Sequence, residues 1–137
     1  RAAELLKQKG GRKCLPLSVS APFHSSLMRP AGERLADSLA GVRVKDPEIP
    51  VLSNVTADYH GGGDRIKDLL VRQVYSPVRW EECVQLIIRD GFGPFVEVGP
   101  GRVLSGLVRK INKDVEILNV EDGESLEKVL ARFGEVS

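Results

Sequence analysis

The apolar positions change period several times along the chain, and each change marks an element. Residues 1–9 are strong helix formers, and Gly10-Gly11 after Lys7 and Lys9 supplies a stop. Cys14 to Val19 reads as a short apolar strand. Ala21-Pro22 should end it, because proline cannot continue a central ladder. From Met28 the spacing becomes three and four. Met28, Ala31, Leu35 and Leu39 then form one face of a helix that Gly41 closes. Val42 to Lys45 and Val51 to Val55 read as extended segments separated by Asp46-Pro47. Tyr59-His60-Gly61-Gly62-Gly63 reads as a flexible surface turn, which places His60 in solvent.

The second half is more regular. Asp64 is expected to cap a helix whose apolar face is Ile66, Leu69, Leu70 and Val74. Ser76-Pro77 should end that helix and start the next, since proline suits a first helical position. Trp80, Cys83, Val84, Ile87 and Ile88 keep helical spacing up to Gly91. Pro94 to Val98 reads as a strand. Gly99-Pro100-Gly101 then turns the chain into a helix carrying Val103, Leu104, Leu107, Val108 and Ile111. Val115 to Val120 reads as another strand, and Leu126, Val129, Leu130 and Phe133 line a last helix. Strands alternating with helices of about 10–15 residues predict a layered α/β fold with a mostly parallel sheet.

Composition narrows the function classes. The 137 residues make one average domain, 42% apolar and 28% charged. A net charge of +1 argues against a protein built mainly to hold a polyanion, and 5% aromatics are too few for a base-stacking platform. Cys14 and Cys83 have no CxxC partner and no zinc spacing, so both are expected as free core thiols in a reducing compartment, with no metal. There is neither a signal-peptide pattern nor an apolar run of ~20 residues. A cytoplasmic (bacterial-type) or plastid-stroma setting is therefore expected. The chain opens inside a helical pattern without an initiator Met, and we expect a beginning within a longer polypeptide.

The candidate chemistry centres on His24, just past one predicted strand and just before a helix. In open α/β sheets, reactive groups collect at the carboxyl ends of strands. Imidazole exchanges protons at neutral pH, so a histidine placed there can serve a cleft as a general base. Ser25 and Ser26 are poor nucleophiles for it, because a Ser–His pair normally comes from separate elements. Ser105 lacks the glycine frame of a nucleophile elbow and lies inside a helical pattern. Any nucleophile for His24 is therefore expected outside this chain. Gly99-Pro100-Gly101 reads as a tight turn needing glycine geometry, with an anion-binding helix start as the alternative. Arg109, Lys110 and Lys113 cluster near a helix C-terminus, where they compensate the dipole or dock an acidic partner.

Four segments together resemble a known family. Ser20-Ala21-Pro22-Phe23-His24-Ser25-Ser26-Leu27-Met28-Arg29-Pro30-Ala31 is similar to the histidine motif of the malonyl-CoA:acyl carrier protein transacylases. Ile49 to Ala57, Leu70 to Trp80 and Phe95 to Leu107 match three further landmarks in the right order. The resemblance implies the C-terminal part of an α/β-hydrolase-like acyltransferase core. Residues 1–20 would be the last helix and strand of an inserted ferredoxin-like subdomain, and residues 21–137 the core. It implies transfer of a malonyl group from malonyl-CoA to acyl carrier protein through a serine acyl-enzyme, as in fatty acid biosynthesis.

His24 falls on the family's catalytic histidine, and the Gln73 position supplies the backbone carbonyl that orients it. Phe23 resembles the motif version that goes with malonyl rather than methylmalonyl units, and Asn54 is a second substrate-side candidate. Arg109, Lys110 and Lys113 are the candidates for carrier-protein docking. No cofactor is implied beyond the coenzyme A thioester as substrate. The family's serine elbow, malonyl-binding arginine and oxyanion-hole glutamine have no counterpart here. The chain is thus expected to work with a missing N-terminal half and to be inactive alone. The alternatives are a non-catalytic fragment, a carrier-protein docking module, or an acyltransferase domain of a polyketide or fatty-acid megasynthase.

Overall fold

A computed structural model of the chain describes residues 1–15 and 19–134. Helix α1 (Ala2–Gln8) buries none of its residues, and Gly10, at φ +89°, follows its end. Leu15 and Val19 are mostly exposed and, like Cys14, are in no strand. A strand needs a ladder partner for its backbone groups, and none bonds these residues among the described ones. The rest of the strand expected over 14–19 lies outside the described residues.

A short 3₁₀ turn (Ser26–Met28) leads into α2 (Arg29–Ala40), with Pro30 in its first turn as proline prefers. The segment expected as a strand over Val42–Lys45 has no regular structure. Its work is different. The Asp46 carboxylate accepts the Gly63 N–H at 2.8 Å and so caps α3 (Gly63–Gln73), the role expected of Asp64. The fit is tight: a Cβ on Gly63 would stand 2.3 Å from the Val44 carbonyl oxygen.

Two-residue strands β1 (Leu52–Ser53) and β2 (Asp58–Tyr59) pair antiparallel, with Leu52 opposite Tyr59. The expected flexible turn at Tyr59 is therefore a hairpin arm. The His60 N–H extends the ladder to the Val51 carbonyl at 2.8 Å, and this pairing buries His60 to 9% exposure, contrary to expectation.

Helix α4 (Trp80–Arg89) begins three residues after Pro77, later than the sequence suggests. Its Cys83, Val84 and Leu86 are buried, and with Leu69, Val108 and Val129 they form the described core. β3 (Phe95–Val98) and β4 (Ile117–Val120) pair in parallel, Phe95 opposite Ile117. Helix α5 (Val103–Ile111) crosses between them, and α6 (Gly123–Gly134) packs on β4. This β3–α5–β4 crossover is the parallel part of the expected sheet. The β1–β2 hairpin forms a separate sheet. Helices α2 and α3 pack side by side, and α4 lies against α5.

Candidate active site

The end of α3 makes the site. The last carbonyls of any helix have no intrahelical partner. The Val74 and Tyr75 N–H groups close the helix by bonding the Val71 and Arg72 carbonyls at 3.3 and 3.2 Å. That leaves the Gln73 and Val74 carbonyls free for the turn that carries His24. The His24 N–H bonds the Val74 carbonyl at 3.2 Å, and its ring Nδ1 lies 2.9 Å from the Gln73 carbonyl. A carbonyl only accepts, so in the neutral ring Nδ1 carries the proton and Nε2 the lone pair. The Gln73 side-chain nitrogen, 3.3 Å from the same Nδ1, is the longer contact and cannot donate to an atom already donating.

The backbone at His24 is left-handed, φ +58°, a region non-glycine residues enter at a cost of order 1–3 kcal/mol. Two hydrogen bonds to successive carbonyls hold it there. The Ser25 hydroxyl closes the same turn by donating to the Pro22 carbonyl at 2.7 Å. The imidazole is exposed and forms part of the wall of an open apolar groove of about 420 Å³, lined also by Phe23, Met28, Leu35, Leu70 and Val74. His24, Gln73 and Phe23 are thus brought together. Nε2 makes no hydrogen bond among the described residues.

The other expected residues lie elsewhere. Asn54 is not among the groove-lining residues. Its carbonyl accepts the Arg79 N–H at 3.2 Å, and its Oδ1 takes a weak contact from the Cys83 thiol at 3.9 Å. Burial pushes the Cys83 thiol up from its ordinary pKa, which suits an inert core residue; Cys83 and Cys14 are both free. Arg109, Lys110 and Lys113 are exposed at the end of α5 and its exit, outside the ion pairs found among the described residues.

Gly99 and Gly101 adopt positive φ, +136° and +87°, as the tight-turn reading requires. The start of α5 is already occupied by the chain's own anion. Glu97, on β3, accepts the Leu104 and Ser105 N–H groups at 3.0 and 2.7 Å and the Ser105 hydroxyl at 2.6 Å. The Ser105 hydroxyl, then the backbone N–H groups, hold the Glu97 carboxyl down to about 2. Sequence reading passed over Glu97. It sits two residues before the Gly99 turn, on the strand rather than at the helix start, where no capping pattern marks it.

No family model matches the chain. Individual proteins do. The malonyl CoA-acyl carrier protein transacylase of Bacillus subtilis (strain 168) is 45% identical over 134 residues, 98% of this chain and 42% of the relative. That of Escherichia coli (strain K12) is 43% identical over 81% of this chain and 36% of its own length. The solved Clostridium perfringens transacylase superposes with a TM-score of 0.89 at 44% identity, over 98% of this chain and 42% of that one. This chain is homologous to malonyl CoA-acyl carrier protein transacylases. It spans about two fifths of the length of the relatives it matches. A further transacylase, 40% identical with a TM-score of 0.90 over 96% of this chain and 42% of its own, was solved in complex with its type II PKS acyl-carrier protein. No described helix is long and apolar enough to cross a membrane, and no cluster of metal-ligating side chains occurs among the described residues.

Proposed function

We propose that this chain supplies the general base for malonyl transfer from malonyl-CoA to acyl carrier protein, and that His24 is that base. The observation that carries the reading is the Nδ1 contact to the Gln73 carbonyl, which leaves Nε2 free beside an open groove. In a Ser-His-Asp triad a carboxylate fixes the tautomer; here a backbone carbonyl at the end of α3 does so.

The reaction follows from that tautomer. His24 Nε2 takes the hydroxyl proton of a serine supplied by polypeptide outside these residues. The serine oxygen attacks the thioester carbonyl, and the imidazolium returns the proton to the departing coenzyme A sulfur. In the second half, Nε2 takes the proton of the carrier protein's thiol. That sulfur attacks the malonyl ester, and the serine oxygen leaves with the proton. No cofactor enters either half. Phe23, on the same groove wall, is the candidate for acyl-group selectivity, and Asn54 a candidate on the substrate side. Arg109, Lys110 and Lys113 offer an exposed basic cluster to the carrier protein, in a cytoplasmic-type setting.

The test is acyl-enzyme formation. The intact enzyme (this chain with its serine-bearing part) should gain one malonyl mass when mixed with malonyl-CoA. The chain alone should gain none. His24→Ala should slow adduct formation roughly 10²- to 10⁴-fold, the usual worth of a general base. An undiminished rate in folded His24→Ala removes His24 from the chemistry.

A further inference from the structure

We infer that Tyr75 is a positioning residue for His24, acting through a contact with Gly32 and Arg29 that fixes the distance between α2 and the end of α3. The inference rests on the reading of His24 as the base, and it concerns residues that neither touch the reacting atoms nor line the groove.

The geometry forms a closed loop of contacts. His24 is joined by chain to the start of α2, four residues before Met28 hands over to Arg29. It is joined by two hydrogen bonds to the end of α3, at the Gln73 and Val74 carbonyls. Tyr75 is the next residue, and its ring returns to α2. The Arg29 guanidinium carbon lies 4.8 Å from the ring centroid. One helical turn on, Gly32 is buried, and a Cβ built there would stand 2.8 Å from both Cδ1 and Cε1 of the ring. The ring edge therefore rests against the Gly32 backbone, with the Val71 carbonyl oxygen 3.3 Å from the same point.

Two parts of that stack are backbone and do not yield: Gly32 has no side chain to move, and the Val71 oxygen belongs to α3. The spacing of α2 and α3 at this end is set by the thickness of the contact. His24 bridges the same two helices, in a left-handed conformation that needs both its hydrogen bonds. If the helices part or close by a fraction of an ångström here, the 2.9 Å bond from Nδ1 changes first, and the aim of Nε2 changes with it. Gly32 stands in the first turn of α2, and the Tyr75 ring occupies the space that any side chain there would need.

The experiment measures single-turnover acylation by the intact enzyme, with the His24 Nδ1–H proton resonance as a second readout. Tyr75→Ala should slow acylation roughly 10²-fold, the effect of about 1 Å of misplacement, with KM for malonyl-CoA unchanged and the Nδ1–H signal lost to solvent exchange. Tyr75→Phe keeps the ring and should restore both. Gly32→Ala should slow acylation although alanine is the better helix former. In a Tyr75→Ala background the same change should cost nothing further. If Tyr75→Ala does not fold, Gly32→Ala and Tyr75→Phe read the contact from its two sides. Wild-type rate and an unaltered Nδ1–H signal in folded Tyr75→Ala, or in Gly32→Ala, overturn the inference. A full rate in His24→Ala would instead overturn the reading of the base, while the Nδ1–H signal would still report whether Tyr75 holds the ring.

Discussion

Gly63→Ala is a severe test of how α3 is seated. Alone, the change favours stability, because alanine narrows the unfolded ensemble, a gain of about 0.4–1 kcal/mol. Against it stands the Val44 carbonyl oxygen, 2.3 Å from where the new methyl would lie. Ordinary contact begins near 3.4 Å, so about 1 Å of separation has to be found. The obstacle is backbone, which no rotamer change relieves. If α3 retreats by that amount, the 2.8 Å bond from the Gly63 N–H to the Asp46 carboxylate breaks as well. Hydrogen bonds to charged groups contribute about 1.5–3 kcal/mol, and overpacking costs typically 1–3. The penalties exceed the gain, and a net loss of about 2–5 kcal/mol is expected. Because α3 is a continuous helix, its far end moves too, and with it the Gln73 carbonyl. Thermal unfolding of the intact enzyme should show Tm lowered by several degrees, and acylation should slow in parallel. A Gly63→Ala variant as stable as its parent would show that α3 is not seated against the 44–46 segment in this way.

Other outcomes follow from the same structure. Glu97 has its carboxyl lowered to about 2 by the Ser105 and Leu104 donors, so the folded state releases this proton more readily than the unfolded chain. That contribution to stability is complete above the ordinary carboxylate value of about 4.5 and is lost as pH falls toward about 2. In Glu97→Gln, stability should change less with pH across that window, as acid titration followed by circular dichroism would show; an unchanged profile refutes the cap. Charge reversal at Arg109, Lys110 and Lys113 together should raise KM for the carrier protein several-fold and leave KM for malonyl-CoA alone, with the difference shrinking in salt. Equal effects on both substrates would count against a docking role. Phe23→Ala should raise methylmalonyl-CoA use relative to malonyl-CoA by roughly 10-fold in competition, within the range for a change of pocket volume. A constant ratio would separate Phe23 from selectivity.

Helices α2 to α6 were legible because each repeats its apolar residues over two or more turns, and α1 from its helix-forming residues and the glycine pair after it. Leu69 in α3, Cys83 and Val84 in α4 and Val108 in α5 are buried where the spacing put them. Of the two shortest strands, β1 falls inside the extended segment read over Val51–Val55, whereas β2 was read as turn. β1 and β2 have two residues each, too few for an alternating pattern, and their existence depends on pairing with each other. His60 was misread for that reason, since three glycines beside it signal a loose turn while the ladder to Val51 draws it inside. The cap of α3 was misassigned because its carboxylate comes from Asp46, 17 residues earlier, rather than from the neighbouring Asp64. At the site, the placement of His24 just before a helix could be read from sequence. Its bond to Gln73, 49 residues away, leaves no local trace, and family resemblance alone suggested it. Glu97 was overlooked because a helix cap supplied from the preceding strand has no fixed spacing to look for.

The most direct measurement is the tautomer of His24, read from its two ring nitrogen shifts in the intact enzyme at a pH where the ring is neutral. The expected result is a proton on Nδ1, shared with the Gln73 carbonyl, and a bare Nε2. A ring carrying its proton on Nε2 would have no lone pair to offer a serine and would contradict the account.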